Sequence, residues 1–184
     1  ARAVAIIAEH AESLAAVIVE PLCRCLSPAP GFLEGIRVAT RRHGVALIFD
    51  EVVTGFRLAL GGAQEYYGVI PDLVAYGKAL GGGFPIGAYG GRADWMEVLA
   101  EQRIEEPNYV WSASTTGGNP VSCAAALAAL DLLAGDGVYP WLRQQGARLR
   151  ERMADLLRAH GETAQVLGDG PLAQVVFAAH PVVD

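Results

Sequence analysis

Residues 45–50 read VALIFD, five apolar residues followed by an aspartate. A continuous apolar run of this length is typical of a strand in a parallel sheet, where both faces are covered. Similar runs recur as AAVIVE at 15–20 and DLVAYG at 72–77, and PIGAYGG at 85–91 ends the series. Helical patterns separate these runs. The sequence therefore predicts an α/β fold, a mostly parallel sheet with helices on both faces.

The helical patterns also predict how the chain divides. Asn119 and Pro120 are typical of a helix start, with asparagine as the cap and proline at the first helical position. Beyond residue 138 the order changes to a long helix followed by a strand. We therefore expect a large domain over 1–137 and the beginning of a smaller α/β domain over 138–184. The predicted helices span about 31–42, 62–67, 93–101, 120–134 and 138–160, and a further strand is predicted at 172–179.

The composition narrows the functional classes. The chain has 184 residues, of which 52% are hydrophobic, and a net charge of −6, which gives no basic surface for nucleic acid. Its apolar stretches are far shorter than the roughly 20 residues that span a bilayer, so no membrane partner is expected. The three cysteines, a Cys-x-Cys pair at Cys23 and Cys25 and a distant Cys123, suit a reducing compartment and are only weak evidence for a metal site. The expected location is the cytoplasm.

Lys78 is the only lysine in the chain, against thirteen arginines. A guanidinium stays charged, whereas an amine can lose its proton and attack a carbonyl, so a solitary lysine suggests chemistry that arginine cannot do. Asp50 ends the strand at 45–50, and Lys78 follows the next strand. Parallel sheets place their sites at the carboxyl ends of strands. We expect both side chains to project into one crevice.

Two chemistries fit a carboxylate and an amine in that place. In a Walker-B-type nucleotide hydrolase, Asp50 would hold magnesium and Glu51 would activate water, but the stretch before Lys78 lacks the first glycine of a phosphate loop and Ala79 replaces its hydroxyl. The other chemistry is that of pyridoxal phosphate (PLP), whose aldehyde condenses with a lysine and whose ring nitrogen is kept protonated by an aspartate. Residues 114–119, just before a predicted helix, could hold the phosphate.

Three motifs carry a family resemblance. FDEVVTGFR at 49–57, GKALGGGFPIGAYGGR at 77–92 and STTGGNP at 114–120 resemble the class III, PLP-dependent aminotransferases, and most closely their glutamate-1-semialdehyde aminomutase branch. The resemblance runs from about residue 15 to the end of the chain. It implies the fold of a type I PLP-dependent transferase, with residues 1–137 as the C-terminal part of the large PLP-binding domain and residues 138–184 as the beginning of the small C-terminal domain. It also implies transfer of an amino group between a small-molecule donor and an oxo or aldehyde acceptor.

The resemblance assigns roles to individual residues. Lys78 matches the lysine that forms the Schiff base with PLP, and Asp50 matches the aspartate that pairs with the pyridine nitrogen. Val52 matches the apolar residue on the face of the ring. Thr115 matches a threonine that holds the cofactor phosphate of the neighbouring subunit, so a homodimer with shared active sites is implied. Glu20 matches a glutamate near the site, and we expect its role to be structural.

Two departures from the family pattern qualify this interpretation. Family members are more than twice as long, and their N-terminal half carries a phosphate-binding loop and an aromatic residue that stacks on the ring. The chain is therefore expected to be a fragment, and a catalytically incomplete PLP-binding or dimerisation fragment is the alternative function. Cys25 stands where relatives that act on ω-amino acids with 2-oxoglutarate carry a glutamate. This favours an aminomutase or a specialised biosynthetic aminotransferase.

Overall fold

The structure is a computed structural model that describes residues 2–182 of the chain. The strands are β1 (Ala16–Val19), β2 (Ala46–Glu51), β3 (Leu73–Tyr76), β4 (Ala88–Gly91), β5 (Gln165–Leu167) and β6 (Gln174–Val176). The helices are α1 (Arg2–Glu9), α2 (Phe32–His43), α3 (Gly62–Tyr67), α4 (Ala93–Met96), α5 (Pro120–Leu133) and α6 (Val138–Ala159). Short 3-10 turns cover Lys78–Gly81, Glu97–Leu99 and Glu101–Arg103.

A four-stranded sheet in the order β1-β2-β3-β4 forms the centre of the fold. Strands β1, β2 and β3 are parallel, and β4 pairs with β3 in the antiparallel direction. In this register Phe49 lies between Val19 and Val74. The prediction of a mostly parallel α/β sheet is confirmed.

The main hydrophobic core lies between one face of this sheet and helices α1 and α2. Leu47 and Phe49 of β2 are fully buried there, against Leu33 and Ile36 of α2 and Ile7 of α1. The left-handed Gly44, with φ of 67°, ends α2 and donates its N–H to the carbonyl of Arg41. This agrees with the helix predicted over about 31–42, and Gly44 suits its end because glycine adopts a positive φ without steric cost.

The opposite face of the sheet is less completely covered. Trp95, Met96 and Leu99 lie over Ile48 and Leu73 and enclose an apolar cavity of about 280 Å³. Towards β1 the cover ends, and Ile18 is 68% exposed. Helical segments therefore lie on both faces, as predicted, but the second face is open at the edge formed by β1.

Two segments differ from the prediction. The helix expected over 93–101 ends at Met96 and continues as two 3-10 turns, because this segment has no buried residue whose packing could stabilise a longer helix. The strand expected over 172–179 is confined to Gln174–Val176, where it pairs with β5 in a two-stranded antiparallel sheet. Strand β5 has only three residues, too few to show a periodic pattern.

Helix α6 and the segment that follows it are joined closely to the rest of the chain. Arg150 donates to the carbonyls of Gly170 and Leu172, and Tyr139 donates to the carbonyl of Phe56. A domain boundary between residues 137 and 138 stays a prediction. Within residues 2–182 no single helix is long and apolar enough to cross a membrane, although the bent pair α5 and α6 meets that test by length and composition.

Candidate functional site

Strands β2 and β3 end side by side at one edge of the sheet. Asp50 pairs with Ala75 and Glu51 with Tyr76, and Lys78 follows two residues later. The structure therefore brings the chain positions of Asp50 and Lys78 to the same edge, where parallel α/β sheets carry their sites. Asp50 is half-buried, and the Lys78 side chain is exposed.

Val52 links these two strand ends. Its N–H donates to Oδ1 of Asp50 at 3.0 Å, which fixes one carboxylate oxygen. Its two methyl groups lie 3.5 and 3.8 Å from the position that a Cβ on Gly77 would occupy, so they contact the residue that precedes Lys78. Asp50, Val52 and the turn of Lys78 thus form one contiguous group.

The backbone of Lys78 is in the left-handed region, with φ of 46°. This conformation costs a non-glycine residue about 1–2 kcal/mol and is concentrated at functional sites. Lys78 begins a 3-10 turn in which Leu80 N–H donates to Gly77 O at 3.1 Å and Gly82 N–H donates to Ala79 O at 3.2 Å. The single lysine is therefore held in a strained conformation immediately after β3.

Helix α5 supports the same turn from the other side. Gly82 has φ of 56°, and a Cβ added there would lie 3.3 Å from Cβ of Ala129 and 3.4 Å from the carbonyl oxygen of Ala125. Only a small residue in this conformation allows the helix to approach so closely. The position of the Lys78 turn therefore depends on α5.

A cavity of about 530 Å³ lies beside this edge of the sheet, between β3, β4 and the loop that leads into α5. This volume is within the range of about 300–1,000 Å³ that is usual for small-molecule sites. Hydroxyl groups of Tyr89, Ser114, Thr116 and Ser122 belong to residues of its wall. Among the described residues, its wall includes Ala75, the sheet partner of Asp50, but none of the four predicted site residues. The complete wall consists of residues 75, 76, 85–89, 114, 116–119 and 122.

The loop at 114–119 is ordered by its own backbone. Gly117 N–H donates to Ser114 O at 3.2 Å, and Asn119 N–H donates to Thr116 O at 3.3 Å. Oδ1 of Asn119 accepts from the N–H groups of Val121 and Ser122 at 2.9 and 3.2 Å, which confirms the predicted cap of α5. Thr115 is exposed on this loop rather than placed at the sheet edge that carries Asp50 and Val52.

Glu51 has a role that the sequence interpretation missed. It points away from Asp50, because successive residues of a strand face opposite sides, and it is completely buried. Its carboxylate accepts from Ala63 N–H at 2.5 Å, Gln64 N–H at 3.2 Å and Thr54 Oγ1 at 3.0 Å. Burial raises the pKa of Glu51, and these hydrogen bonds oppose the rise. Glu51 therefore caps the start of α3 and has no free oxygen with which to activate water.

The neighbouring Gly62 could have indicated this role. Its φ is 73°, and a Cβ there would lie 2.3 Å from Oε2 of Glu51. The carboxylate can reach the start of α3 only because position 62 has no side chain. A glycine pair at the start of a predicted helix, ten and eleven residues after a buried acid, was the signal in the sequence.

The remaining predicted positions lie away from this edge or on its margin. Glu20 is exposed directly after β1. Cys25 has φ of 61° and packs against an apolar cluster that includes Leu22 and Leu58, and burial raises the pKa of its thiol while the charge of Arg150 opposes the rise. Within residues 2–182 there is no group of three or more His, Cys, Asp or Glu side chains that could hold a metal ion.

Comparison with known proteins identifies the family. The model of the family described as aminotransferase class-III matches residues 1–182. The chain belongs to the class III aminotransferases, which are PLP-dependent enzymes.

Individual relatives agree with this assignment. A glutamate-1-semialdehyde 2,1-aminomutase from Thermomicrobium roseum is 46% identical over 181 residues, covering 96% of this chain and 41% of the relative. An omega-transaminase from Sphaerobacter thermophilus has a similar structure, with a TM-score of 0.86, 38% identity, and coverage of 96% of this chain and 40% of the other. A glutamate-1-semialdehyde aminomutase variant from Pseudomonas aeruginosa PAO1, in complex with PMP, has a TM-score of 0.79 and 27% identity. The match covers 97% of this chain and 40% of the other. The chain thus spans about two fifths of the length of the relatives it matches.

Proposed function

We propose that the protein transfers an amino group between small molecules as a PLP-dependent aminotransferase or aminomutase, and that Lys78 is the residue that bonds to the cofactor. The observation that carries this proposal is the contiguous group of Asp50, Val52 and the Lys78 turn at one edge of the sheet. A carboxylate, an apolar contact and a primary amine are the groups that fit the ring and the aldehyde of PLP. The cytoplasmic location expected from the sequence belongs to the same proposal.

Lys78 would have two tasks. When bound, PLP supplies an aldehyde for condensation with amines and a ring that withdraws electrons from the bonds of the substrate. The amine of Lys78 would hold the cofactor by condensing with that aldehyde, a condensation that would release one water. When it is free, Nζ of Lys78 would take a proton from one substrate carbon and return it to another. Such general acid–base transfer is worth about 10²- to 10⁴-fold in rate.

Asp50 and Val52 would orient the ring. The Asp50 carboxylate is an anionic partner for the ring nitrogen, and a charge of opposite sign favours the protonated form of that nitrogen. The hydrogen bond from Val52 N–H restricts the rotation of the carboxylate. The Val52 methyl groups, packed on Gly77, offer an apolar surface to one face of the ring.

Thr115 would act across a homodimer. It lies on an exposed loop at the start of α5, where its hydroxyl is accessible to a second subunit. The same helix has exposed apolar residues, which include Val121, Leu127 (65% exposed) and Leu132 (77% exposed). Exposed apolar patches mark interaction sites. A second copy of the chain would cover exposed residues of α5 and place Thr115 near the partner's cofactor phosphate.

The residue at position 25 bears on the substrate class. Cys25 packs against apolar residues, so the position offers no carboxylate to a substrate-binding arginine. This supports an aminomutase, as the names of the curated relatives indicate, or a specialised aminotransferase. A panel of amine donors with oxo and aldehyde acceptors would separate these two, because a mutase needs only one substrate.

One experiment distinguishes the proposal from a binding-only protein and from a nucleotide hydrolase. PLP is added to the purified protein, the visible absorption band of the covalent adduct is recorded, and the adduct is trapped with borohydride and located by peptide mapping. We expect the label on Lys78 and its loss in Lys78→Ala, with the N-terminal amine as the internal control for nonspecific reaction. A visible band that no amine donor bleaches before the borohydride step would favour the binding-only alternative. No label on Lys78 would refute the proposal. The nucleotide hydrolase is already disfavoured, because both oxygens of Glu51 are engaged.

A further inference from the structure

Ile86 contacts both ends of the turn that carries Lys78. A Cβ added at Gly77 would lie 3.6 Å from the carbonyl oxygen of Ile86, and a Cβ added at Gly81 would lie 3.0 Å from its Cγ2. Gly77 directly precedes Lys78, and Gly81 ends the 3-10 turn. One residue from the loop before β4 therefore borders both ends of the segment.

The turn requires support from outside. The left-handed backbone of Lys78 is strained, and such strain persists only where surrounding structure leaves no better alternative. The hydrogen bonds from Leu80 and Gly82 lie within the turn and close it locally. From outside the turn, Ile86 contacts both ends, with its carbonyl oxygen at Gly77 and its Cγ2 at Gly81.

We propose that Ile86 is a positioning residue for Lys78, which keeps the lysine backbone left-handed and so fixes the direction in which the amine leaves the turn. The proposal rests on the function proposed above, in which this amine bonds to PLP. Ile86 also borders the 530 Å³ cavity, so a displaced Ile86 would change the turn and the cavity together. The contact with Gly81 allows these two effects to be separated.

A double-mutant cycle between Ile86 and Gly81 tests the positioning role. Ile86→Ala should weaken the apparent affinity for PLP about tenfold, the change expected when a constraint of roughly this strain is released. Ile86→Val keeps Cγ2 and should restore most of the affinity. Gly81 lies outside the left-handed region, so Gly81→Ala fits its backbone but forces Cγ2 of Ile86 away. The double variant should bind better than the sum of the two single losses, because the new methyl occupies the vacated space.

A readout without PLP separates this proposal from the function on which it rests. Hydrogen exchange at the amides of Leu80 and Gly82 reports whether the turn stays closed. Ile86→Ala should lower their protection, whereas Val17→Ala, which also truncates a half-buried apolar residue but on β1, should leave it unchanged relative to the rest of the sheet.

Support requires loss of PLP affinity and of turn protection in Ile86→Ala, with recovery in Ile86→Val. If Val17→Ala lowers the PLP affinity as much as Ile86→Ala does, the effect is general destabilisation and the positioning role is refuted. If no variant, including the unmodified protein, binds PLP at Lys78, the proposed function fails. In that case unchanged protection at Leu80 and Gly82 in Ile86→Ala would refute the turn contact as well.

Discussion

Replacing Asp72 should destabilise the fold more than replacing Arg92, its solvent-exposed partner. Asp72 lies just before β3 and is only 5% exposed at its side chain. Its Oδ2 accepts from Arg37 Nη1 and from Leu47 N–H, each at 2.8 Å, and its Oδ1 accepts from Arg92 Nη1 at 3.1 Å. One carboxylate thus joins α2, β2 and the end of β4.

The expected loss in the free energy of unfolding depends on how deeply the remaining partner is buried. Arg37 is 9% exposed and its Nε already lacks a partner among the described residues, so Asp72→Ala would leave a buried charge uncompensated. Removing one member of a buried pair costs about 3–5 kcal/mol. Arg92 is 55% exposed, so Arg92→Met should cost less than about 1 kcal/mol. Asp72→Asn keeps an oxygen for Leu47 and Arg37 and should give an intermediate loss.

Urea unfolding, monitored by circular dichroism, measures these differences. Each loss of stability appears as a lower midpoint urea concentration, with an unchanged slope of free energy against urea. The total stability of a domain is about 5–15 kcal/mol, so Asp72→Asn provides a folded variant if Asp72→Ala does not fold. Equal losses for Asp72→Ala and Arg92→Met would show that the buried Arg37 pair is not the dominant contribution.

The pH dependence provides a second check. Burial alone would raise the pKa of Asp72, but the hydrogen bonds from Leu47 and Arg37 and the charge of Arg37 outweigh it, so the pKa lies below its ordinary value of 3.8. The unfolded chain therefore binds a proton at higher pH than the folded chain does. The free energy of unfolding should fall as the pH decreases below about 4, and Asp72→Asn should lack this part of the slope.

Four further predictions concern the site and its support. An inactive Lys78→Ala subunit mixed in equal amount with an inactive Thr115→Ala subunit should regain up to about a quarter of the PLP-dependent activity, because half of the dimers are hybrids and each hybrid has one intact site; no recovery would place Thr115 in its own subunit's site. Asp50→Asn should lower the pKa of the cofactor ring nitrogen by about one to three pH units, measured by ¹⁵N NMR of labelled PLP, and an unchanged value would exclude the pairing. Glu51→Gln should cost about 1–3 kcal/mol in urea unfolding, since an amide cannot accept at both oxygen positions; a neutral effect would contradict the cap. Gly62→Ala should cost about 1–3 kcal/mol, and a stabilised protein would show that the contact with Glu51 can relax.

The parts of the fold that the sequence predicted are those set by local chemistry. The apolar run at 45–50 is long enough to specify a buried strand, and Asn119 with Pro120 specifies a helix start without help from the rest of the chain. The antiparallel direction of β4 was not predicted. It follows from the short connection at residues 77–87, which contains a 3-10 turn but no α-helix, because a parallel connection needs a crossover of a dozen or more residues.

Other features depend on contacts between distant residues. The left-handed backbone of Lys78 is set by its tertiary surroundings, since lysine has no intrinsic preference for that conformation. The roles of Asp50 and Glu51 differ because they lie on opposite faces of β2, which strand alternation implies but residue type does not. The contact of Ile86 with Gly77 and Gly81 joins segments whose relation no periodic pattern reveals.

The two ends of β3 carry different charged groups. Asp72 precedes the strand, and Lys78 follows it after Gly77; the four residues of β3 alone extend about 13 Å. The ion pairs of Asp72 therefore lie at one end of the strand, and the amine of Lys78 follows the other. Resistance to heat could consequently be adjusted at the Asp72 end in separate rounds of engineering or evolution, since Asp72 makes its hydrogen bonds there and not at the Lys78 turn.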